Sequence, residues 1–326
     1  MIIDQHKRVH NYLRISLTDN CNFRCFYCMP EEDYEFTPPS KLMQADEIET
    51  LAKIFIQQGV NKIRLTGGEP LIRKDAHDII LRLSKLNVKL TMTTNGSRIH
   101  EFIDVLEEAK IRSLNISLDT LDREKFLLVT RRDQFEKVYQ NIQLLLNRSF
   151  HVKVNMVVMK GLNDHEINDF IEWTKDTPVH VRFIEFMPFA GNKWSSNKVF
   201  TLQEIVDQIK TKYDIIRLQD DQHATAKGYC VPGHAGTFSV ISTMSANFCG
   251  NCNRLRLTAD GKMKNCLFAE NETDLLSALR KGDDIIPLIH KNIYSKAKEL
   301  GGQFTADFSQ LHAEDIHNRS MISIGG

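Results

Sequence analysis

Six of the seven cysteines fall into two triads, and thiolate is the side chain best suited to holding iron or zinc in a tight loop. Cys21, Cys25 and Cys28 form C-x3-C-x2-C, while Cys249, Cys252 and Cys266 form C-x2-C-x13-C. An odd cysteine count in a long chain argues against a disulfide framework and toward metal ligation or catalysis. Three close thiolates can hold three irons of a [4Fe–4S] cluster. The fourth iron then lacks a protein ligand and is open to a substrate or cofactor. Structural zinc with a distant fourth ligand is the alternative. Zinc sites usually pair two C-x2-C elements, so the first triad favours a cluster. For the second triad, His234 is the residue that would complete a zinc site. Cys230 stands alone and reads as a buried or spare thiol. The histidines show no H-E-x-x-H spacing.

These residues need a frame. Apolar residues make up 42% of the 326, enough for a sizeable core, and the length suits two domains or one barrel with an appendage. Lys and Arg number 42, as do Asp and Glu, so bulk attraction to nucleic acid or an acidic membrane is not expected. Any anion site must come from local clustering. No apolar run approaches the ~20 residues of a membrane span. The polar stretch Met1 to His10 lacks the apolar core of a secretion signal, so the expected compartment is the cytoplasm.

Short apolar runs alternate with helix-period segments over the first two thirds. Strands are expected at Tyr12 to Leu17, Lys62 to Leu65, Lys89 to Thr93, Ser113 to Leu118, Val152 to Val158 and Val181 to Phe186. Helices are expected near Ala45 to Gln58, Asp75 to Leu86, Ile99 to Ala109, Gln134 to Asn147, Asp164 to Lys175 and Leu202 to Lys212. Such alternation predicts an α/β fold with a parallel sheet. Each strand keeps one polar face: Arg14 with Ser16, Arg64 with Thr66, Thr91 with Thr93, Asn115 with Ser117, Lys153 with Asn155. A parallel sheet covered on both faces should read almost continuously apolar. The polar face therefore predicts an incomplete, TIM-like (βα)6 barrel with a lumen built for a polar ligand. Residues 1–219 form that barrel in this reading. Residues 220–326 form a C-terminal domain that carries the second triad and closes the barrel mouth. Polar or Gly-rich signals follow the strands and converge on that mouth: the first triad, Gly67-Gly68-Glu69-Pro70, Thr94-Asn95-Gly96, Ser117-Leu118-Asp119 and Met187-Pro188.

C-x3-C-x2-C with Tyr27 before the last cysteine, followed by a strand ending in Gly-Gly-Glu-Pro, resembles the radical S-adenosylmethionine (SAM) enzymes. The second triad narrows the likeness. Phe248-Cys249-Gly250-Asn251-Cys252-Asn253-Arg254-Leu255-Arg256-Leu257-Thr258-Ala259-Asp260-Gly261, leading to Cys266-Leu267-Phe268, resembles the C-terminal signature of the GTP 3′,8-cyclase family. Thr18-Asp19, Tyr27-Cys28-Met29-Pro30, Phe183-Ile184-Glu185-Phe186-Met187-Pro188 and Ile324-Gly325-Gly326 match as well, so the resemblance spans almost the whole chain.

The resemblance implies two [4Fe–4S] clusters, one on Cys21, Cys25 and Cys28 and one on Cys249, Cys252 and Cys266. It implies SAM contacts at Tyr27, Gly68, Ser117 and Met187. It implies GTP contacts at Arg14, Arg64, Thr93, Lys153, Arg254 and Arg256. The implied reaction opens molybdenum cofactor biosynthesis: a 5′-deoxyadenosyl radical takes the C3′ hydrogen of GTP, C3′ bonds to C8, and 3′,8-cyclo-7,8-dihydro-GTP results. The tail Gly325-Gly326 is expected to reach into the active-site pocket. An electron donor of the flavodoxin or ferredoxin kind and a downstream cyclic pyranopterin monophosphate synthase are the implied partners, and a homodimer is left open. Asn20 stands where the family often has Arg, with no catalytic consequence expected. Two rivals remain at this stage: a radical SAM enzyme acting on a peptide, and a zinc-stabilised binding module.

Overall fold

The chain is described here from a computed structural model covering residues 1–29, 34–305 and 307–325. Pro30 and Gly326, both named above, lie outside the described residues. The first two thirds alternate as expected: β1 (Tyr12–Ser16), α1 (Ala45–Gln57), β2 (Lys62–Thr66), α2 (Ala76–Ser84), β3 (Lys89–Thr94), α3 (Ile99–Glu108), β4 (Ser113–Ser117), α4 (Arg123–Thr130), α5 (Phe135–Asn147), β5 (His151–Val158), α6 (Ile167–Trp173), β6 (His180–Glu185) and α7 (Leu202–Lys210). Six further strands and three helices follow: β7 (Ile216–Arg217), β8 (Lys227–Cys230), β9 (Thr237–Ile241), β10 (Arg254–Leu257), β11 (Lys262–Lys264), β12 (Thr273–Asp274), α8 (Leu275–Lys281), α9 (Ile286–Tyr294) and α10 (Met321–Ile324).

Among the described residues, all twelve strands belong to one sheet, in the order β12-β11-β10-β1-β2-β3-β4-β5-β6-β9-β8-β7. Strands β1 to β6 pair in parallel, each with the next. Two later strands continue the parallel run, β10 beside β1 and β9 beside β6. The six expected strand–helix units are present, and two further strands extend their parallel sheet to eight. Thr237–Ile241 and Arg254–Leu257 alternate apolar and polar residues like the others. No α-helix separates the two strands, only a short 3-10 turn at Cys249–Asn251, so strand–helix alternation did not reveal them. Residues beyond 219 supply both flanks of the same sheet.

Alternation along each strand sorts its side chains between two environments. Leu13, Ile15, Ile63, Leu65, Leu114, Ile116, Val152, Val154, Val181 and Phe183 are fully or almost fully buried in the main hydrophobic core. The helices close that outer layer with apolar stripes, as in α3, where Ile99, Phe102, Ile103 and Leu106 recur at helical spacing. The start of α7 is fixed by a capping box: Thr201 N–H donates to Glu204 Oε2 at 2.8 Å and Glu204 N–H donates to Thr201 Oγ1 at 3.3 Å. With the apolar residues committed to the outside, Arg14, Arg64, Lys153 and Arg182 face an internal cavity.

Candidate functional site

That cavity measures about 880 Å3. Its wall includes the six cysteines of both triads, and Tyr27, Gly68, Ser117 and Met187. It also includes Arg14, Arg64, Thr93, Lys153, Arg254 and Arg256. Residues remote in sequence meet there because the strand ends converge and because β10 lies directly beside β1.

The first triad occupies the loop after β1. Burial pushes the Cys28 thiol up to about 12 and Cys21 up to about 11, and raises Cys25 well above its ordinary value, with help from its neighbours Cys28, Asp119 and Cys21. Three thiols in mutual electrostatic reach ionise only beside a strong positive charge. Two N–H groups already point at Cys21 Sγ, those of Phe23 at 3.4 Å and the Asn95 amide at 3.8 Å. The loop is pinned from outside by α4, whose last carbonyls accept from Arg24 N–H (2.9 Å, Thr130) and Phe26 N–H (3.2 Å, Val129). Phe23 also packs edge-on against Phe126. Helix α4 was not anticipated from the sequence. Its mean amphipathicity is weak, and only its Asp122 N-cap, accepting from Lys125 N–H at 2.7 Å, marks its start.

Gly-Gly-Glu-Pro holds this loop in register. Gly68 N–H donates to Thr18 O at 2.6 Å and Glu69 N–H donates to Asn20 O at 2.8 Å. A Cβ on Gly68 would stand 2.3 Å from Asn20 O, so only glycine permits the approach. The Glu69 carboxylate accepts from Leu71 N–H, Thr94 Oγ1 and Asn95 N–H at 3.0, 2.7 and 2.6 Å. It thereby ties the end of β2 to the end of β3. Tyr27 OH donates to Asp119 Oδ2 at 2.6 Å, and Asp119 Oδ1 accepts from Val157 N–H at 2.9 Å, fixing the tyrosine beside the thiols.

The second triad brackets β10 and β11. Arg256 lies opposite Lys264, and carrying that register on by two residues sets Cys266 opposite Arg254. Leu300 N–H donates to Cys249 Sγ at 3.4 Å. Lys296 Nζ approaches Cys252 Sγ at 3.6 Å and Arg254 Nη1 approaches it at 4.0 Å. Burial alone would raise Cys252, but Lys296, Arg254 and Arg256 outweigh it and bring it down to about 7. Among the described residues, no three His, Cys, Asp or Glu side chains converge as ligands of one ion would. Thiols that each hold a different iron have no need to converge on a point. Free sulfurs, N–H donors aimed at them and an open cavity in front are the environment of iron–sulfur clusters, and both triads fit that donor chemistry.

Cations line the cavity in rows. Arg256, Arg14 and Arg64 sit side by side on β10, β1 and β2; Arg254, Tyr12 and Lys62 form the next row. Lys153 and Arg182 face them from β5 and β6. Burial and the neighbouring cations hold Arg14 well below its ordinary value, Arg182 at about 9 and Lys153 at about 8. The Nε atoms of Arg14 and Arg256 and the Asn115 Oδ1 are buried without partners. The acids on the wall, Asp119, Asp220 and Asp221, leave these cations unpaired: Asp119 takes Tyr27, and Asp220 pairs with Arg217 outside. Buried like charges in register demand an anion between them.

Tyr12, Lys62 and Arg182 are cationic or aromatic wall residues that the sequence reading did not single out. Tyr12 and Lys62 share the polar faces noted for Arg14 and Arg64, and Arg182 stands between the apolar Val181 and Phe183, so the same alternation would have found them. Arg64 Nε donates to Tyr12 OH at 2.5 Å, and Lys62 Nζ sits 4.6 Å from the Tyr12 ring centroid. Arg182 donates to Asn155 Oδ1 from Nε at 2.8 Å and Nη2 at 2.5 Å. Gly325 packs against Ser16 and Thr66, its carbonyl accepting from Thr66 Oγ1 at 3.3 Å, and Met321 and Ile322 reach the wall. The described part of the tail thus reaches the cavity wall at Met321 and Ile322. His234 does not reach it: its Nδ1 pairs with Thr174 Oγ1 at 2.9 Å and its ring packs on Tyr213. Cys230 lies on β8, off the cavity wall. His6 and His10 are spaced H-x-x-x-H, a pair the sequence reading passed over; His10 is buried against Asp4 at 3.0 Å, also off the wall.

The Radical SAM superfamily matches residues 15–174, and the Molybdenum Cofactor Synthesis C family matches residues 179–301. The chain is 46% identical to a protein of Arabidopsis thaliana named GTP 3′,8-cyclase, mitochondrial, over 100% of this chain and 84% of that one. It is 38% identical to the GTP 3′,8-cyclase of Desulforamulus reducens over the full length of both. It spans about half the length of relatives named Molybdenum cofactor biosynthesis protein 1, as in Mus musculus, where identity is 44% over 99% of this chain and 51% of that one. Among solved structures, Streptococcus suis SuiB bound to S-adenosylmethionine shares the fold, with a TM-score of 0.61 and 15% identity over 94% of this chain and 72% of that one. With two cysteine triads and a cation-lined cavity on one parallel sheet, this chain belongs to the GTP 3′,8-cyclase family of the radical SAM superfamily.

Proposed function

We infer that this chain binds GTP between the two triads and cyclises it to 3′,8-cyclo-7,8-dihydro-GTP, the opening reaction of molybdenum cofactor biosynthesis. The observation that carries the reading is the in-register row Arg256–Arg14–Arg64, with Arg256 and Arg64 buried, Arg14 half-buried and the Nε atoms of Arg14 and Arg256 unpartnered, on the same cavity as both triads. A triphosphate carries about four negative charges, and bidentate Arg–phosphate bonds are strong and directional. A SAM-loaded cluster on Cys21, Cys25 and Cys28 supplies a 5′-deoxyadenosyl radical, the hard chemistry that no side chain provides. The chain's own residues bind and orient. Tyr27, Gly68, Ser117 and Met187 form the wall around the first triad, where SAM lies in this reading. Thr93, Lys153, Arg254 and Arg256 complete the nucleotide's surroundings in this reading, together with Lys62 and Arg182, which line the same cavity. Cys249, Cys252 and Cys266 hold a second cluster, the first two just before β10, whereas the first triad follows its parallel neighbour β1. Enclosure by the tail at Gly325 excludes water from a radical reaction.

Among the described residues, no helix is long and apolar enough to cross a membrane. A cytoplasmic setting, an electron donor of the flavodoxin or ferredoxin kind and hand-over to a cyclic pyranopterin monophosphate synthase belong to the same proposal. The test is anaerobic turnover of reconstituted, reduced protein with SAM, with and without GTP. The expected result is about eight irons per chain, 5′-deoxyadenosine formation that rises strongly with GTP, and a cyclised nucleotide. SAM cleavage indifferent to GTP would overturn the substrate; a colourless, zinc-loaded protein would overturn the enzyme.

A further inference from the structure

Lys296 follows α9 and is 2% exposed. A buried ammonium is costly unless an anion faces it. Among the described residues, no carboxylate comes within ion-pair distance of it. Its Nζ has two neighbours: Arg254 O at 3.1 Å and Cys252 Sγ at 3.6 Å. It is not part of the cavity wall, whereas Cys252 is. The charge is therefore set against the protein side of the sulfur, away from the substrate.

The segment around it is held firmly. Gln5 Nε2 donates to Lys296 O at 3.1 Å. Arg8, ion-paired to Asp4 at 2.6 Å, donates to Ala297 O and Cys249 O, both at 2.8 Å, and to Lys298 O at 2.6 Å. The N-terminal segment thus straps the 296–300 turn onto the loop of Cys249, and Leu300 N–H completes the hold on Cys249 Sγ. Nothing else in this packing requires a cation at position 296. A methionine would fill similar space without the desolvation penalty.

We propose that Lys296 is a positioning residue for the second triad: a buried counter-cation, bonded to Cys252 Sγ from behind, that stabilises the reduced state of the metal cluster bound there. The inference rests on the two-cluster reading above. A fixed positive charge beside a cluster sulfur favours the more negative, reduced form, so its removal lowers the reduction potential. The first cluster, held by the loop after β1 and not touched by Lys296, is not affected.

The test is anaerobic redox titration followed by electron paramagnetic resonance, on reconstituted wild-type, K296M and K296R proteins. The same substitutions are made in a C21S/C25S/C28S background, which isolates the second cluster. In K296M the second-cluster potential is expected to move negative, with the first unchanged; K296R is expected to restore most of the shift. If the triple-serine background holds no iron, the second-cluster reading falls and the inference with it. If it holds iron whose potential is the same in K296M, the inference alone is overturned. Should K296M lose the second cluster altogether, retention in K296R with loss in K296Q supports the charge role, and loss in K296R overturns it.

Discussion

Arg14 on β1 and Arg256 on β10 stand opposite each other in register, each with a buried Nε that has no hydrogen-bond partner. Like charges directly opposite on neighbouring strands destabilise a sheet. A bound anion relieves that repulsion, which separates stability from binding. In Arg14→Met the unliganded protein should melt at the wild-type temperature or higher. Its KM for GTP should rise about 10- to 100-fold, as loss of a charge-assisted hydrogen bond worth ~1.5–3 kcal/mol implies. Calorimetric melting and GTP titration read the two effects. A lower melting temperature with unchanged KM would make Arg14 a purely structural residue.

The pH dependence of nucleotide binding has a defined sign. Burial, then Arg182, Arg64 and Lys62, hold Lys153 at about 8 in the empty cavity, below its ordinary 10.5. The charged ammonium destabilises the empty fold at neutral pH, and that effect fades as pH rises from about 8 toward 10.5. A triphosphate favours the charged form, so affinity is full below about 8 and falls above it. Tyr12 adds to this trend: burial would raise it, but Arg64, Arg14 and Lys62 draw it down to about 7, and its phenolate opposes phosphate. GTP affinity should therefore decline between pH ~7 and ~8.5 in the wild type and stay nearly flat in Y12F/K153M. Equilibrium binding across that range checks it, and an undiminished slope in the double variant would rule the assignment out.

Gly68→Ala tests the strand-end loop. Its Cβ would meet backbone oxygens of Asn20 and Asp19 at 2.3 and 2.6 Å, atoms that cannot rotate away. Forced separation of the two loops should cost ~1–3 kcal/mol and loosen Cys21. Iron content should fall by about half after reconstitution, with the second cluster retained. Full iron and an unchanged melting temperature would show that the loops part freely.

Gly325→Ala probes the tail. Gly325 has φ +79°, and an added Cβ would lie 2.8 Å from Ser16 Cβ and 2.9 Å from Thr66 Oγ1. The left-handed backbone and the crowding both oppose a side chain. Global stability should change little, by under about 1 kcal/mol, because the tail can detach. GTP-dependent 5′-deoxyadenosine formation should fall about tenfold or more through loss of enclosure. Turnover equal to wild type would place the tail outside the reaction.

The sequence alone determined the triads, the Gly-Gly-Glu-Pro turn, the six leading strands and the polar faces of those strands. Each is a local signal: a spacing of cysteines, a two-residue alternation, a run of turn residues. Arg14, Arg64 and Lys153 could be assigned to a lumen because strand period fixes which residues share a face. The tertiary structure decided what lies next to what. The sheet order puts β10 beside β1, so Arg256 meets Arg14 across more than 200 positions of chain, a pairing that no local pattern encodes. It also decided the roles of α4, whose carbonyls pin the first cysteine loop, and of Lys296, an ordinary lysine in sequence that becomes a buried cation behind Cys252. Charge in a sequence is only a count; burial, which depends on every packed neighbour, turns it into an energy that must be answered by a ligand.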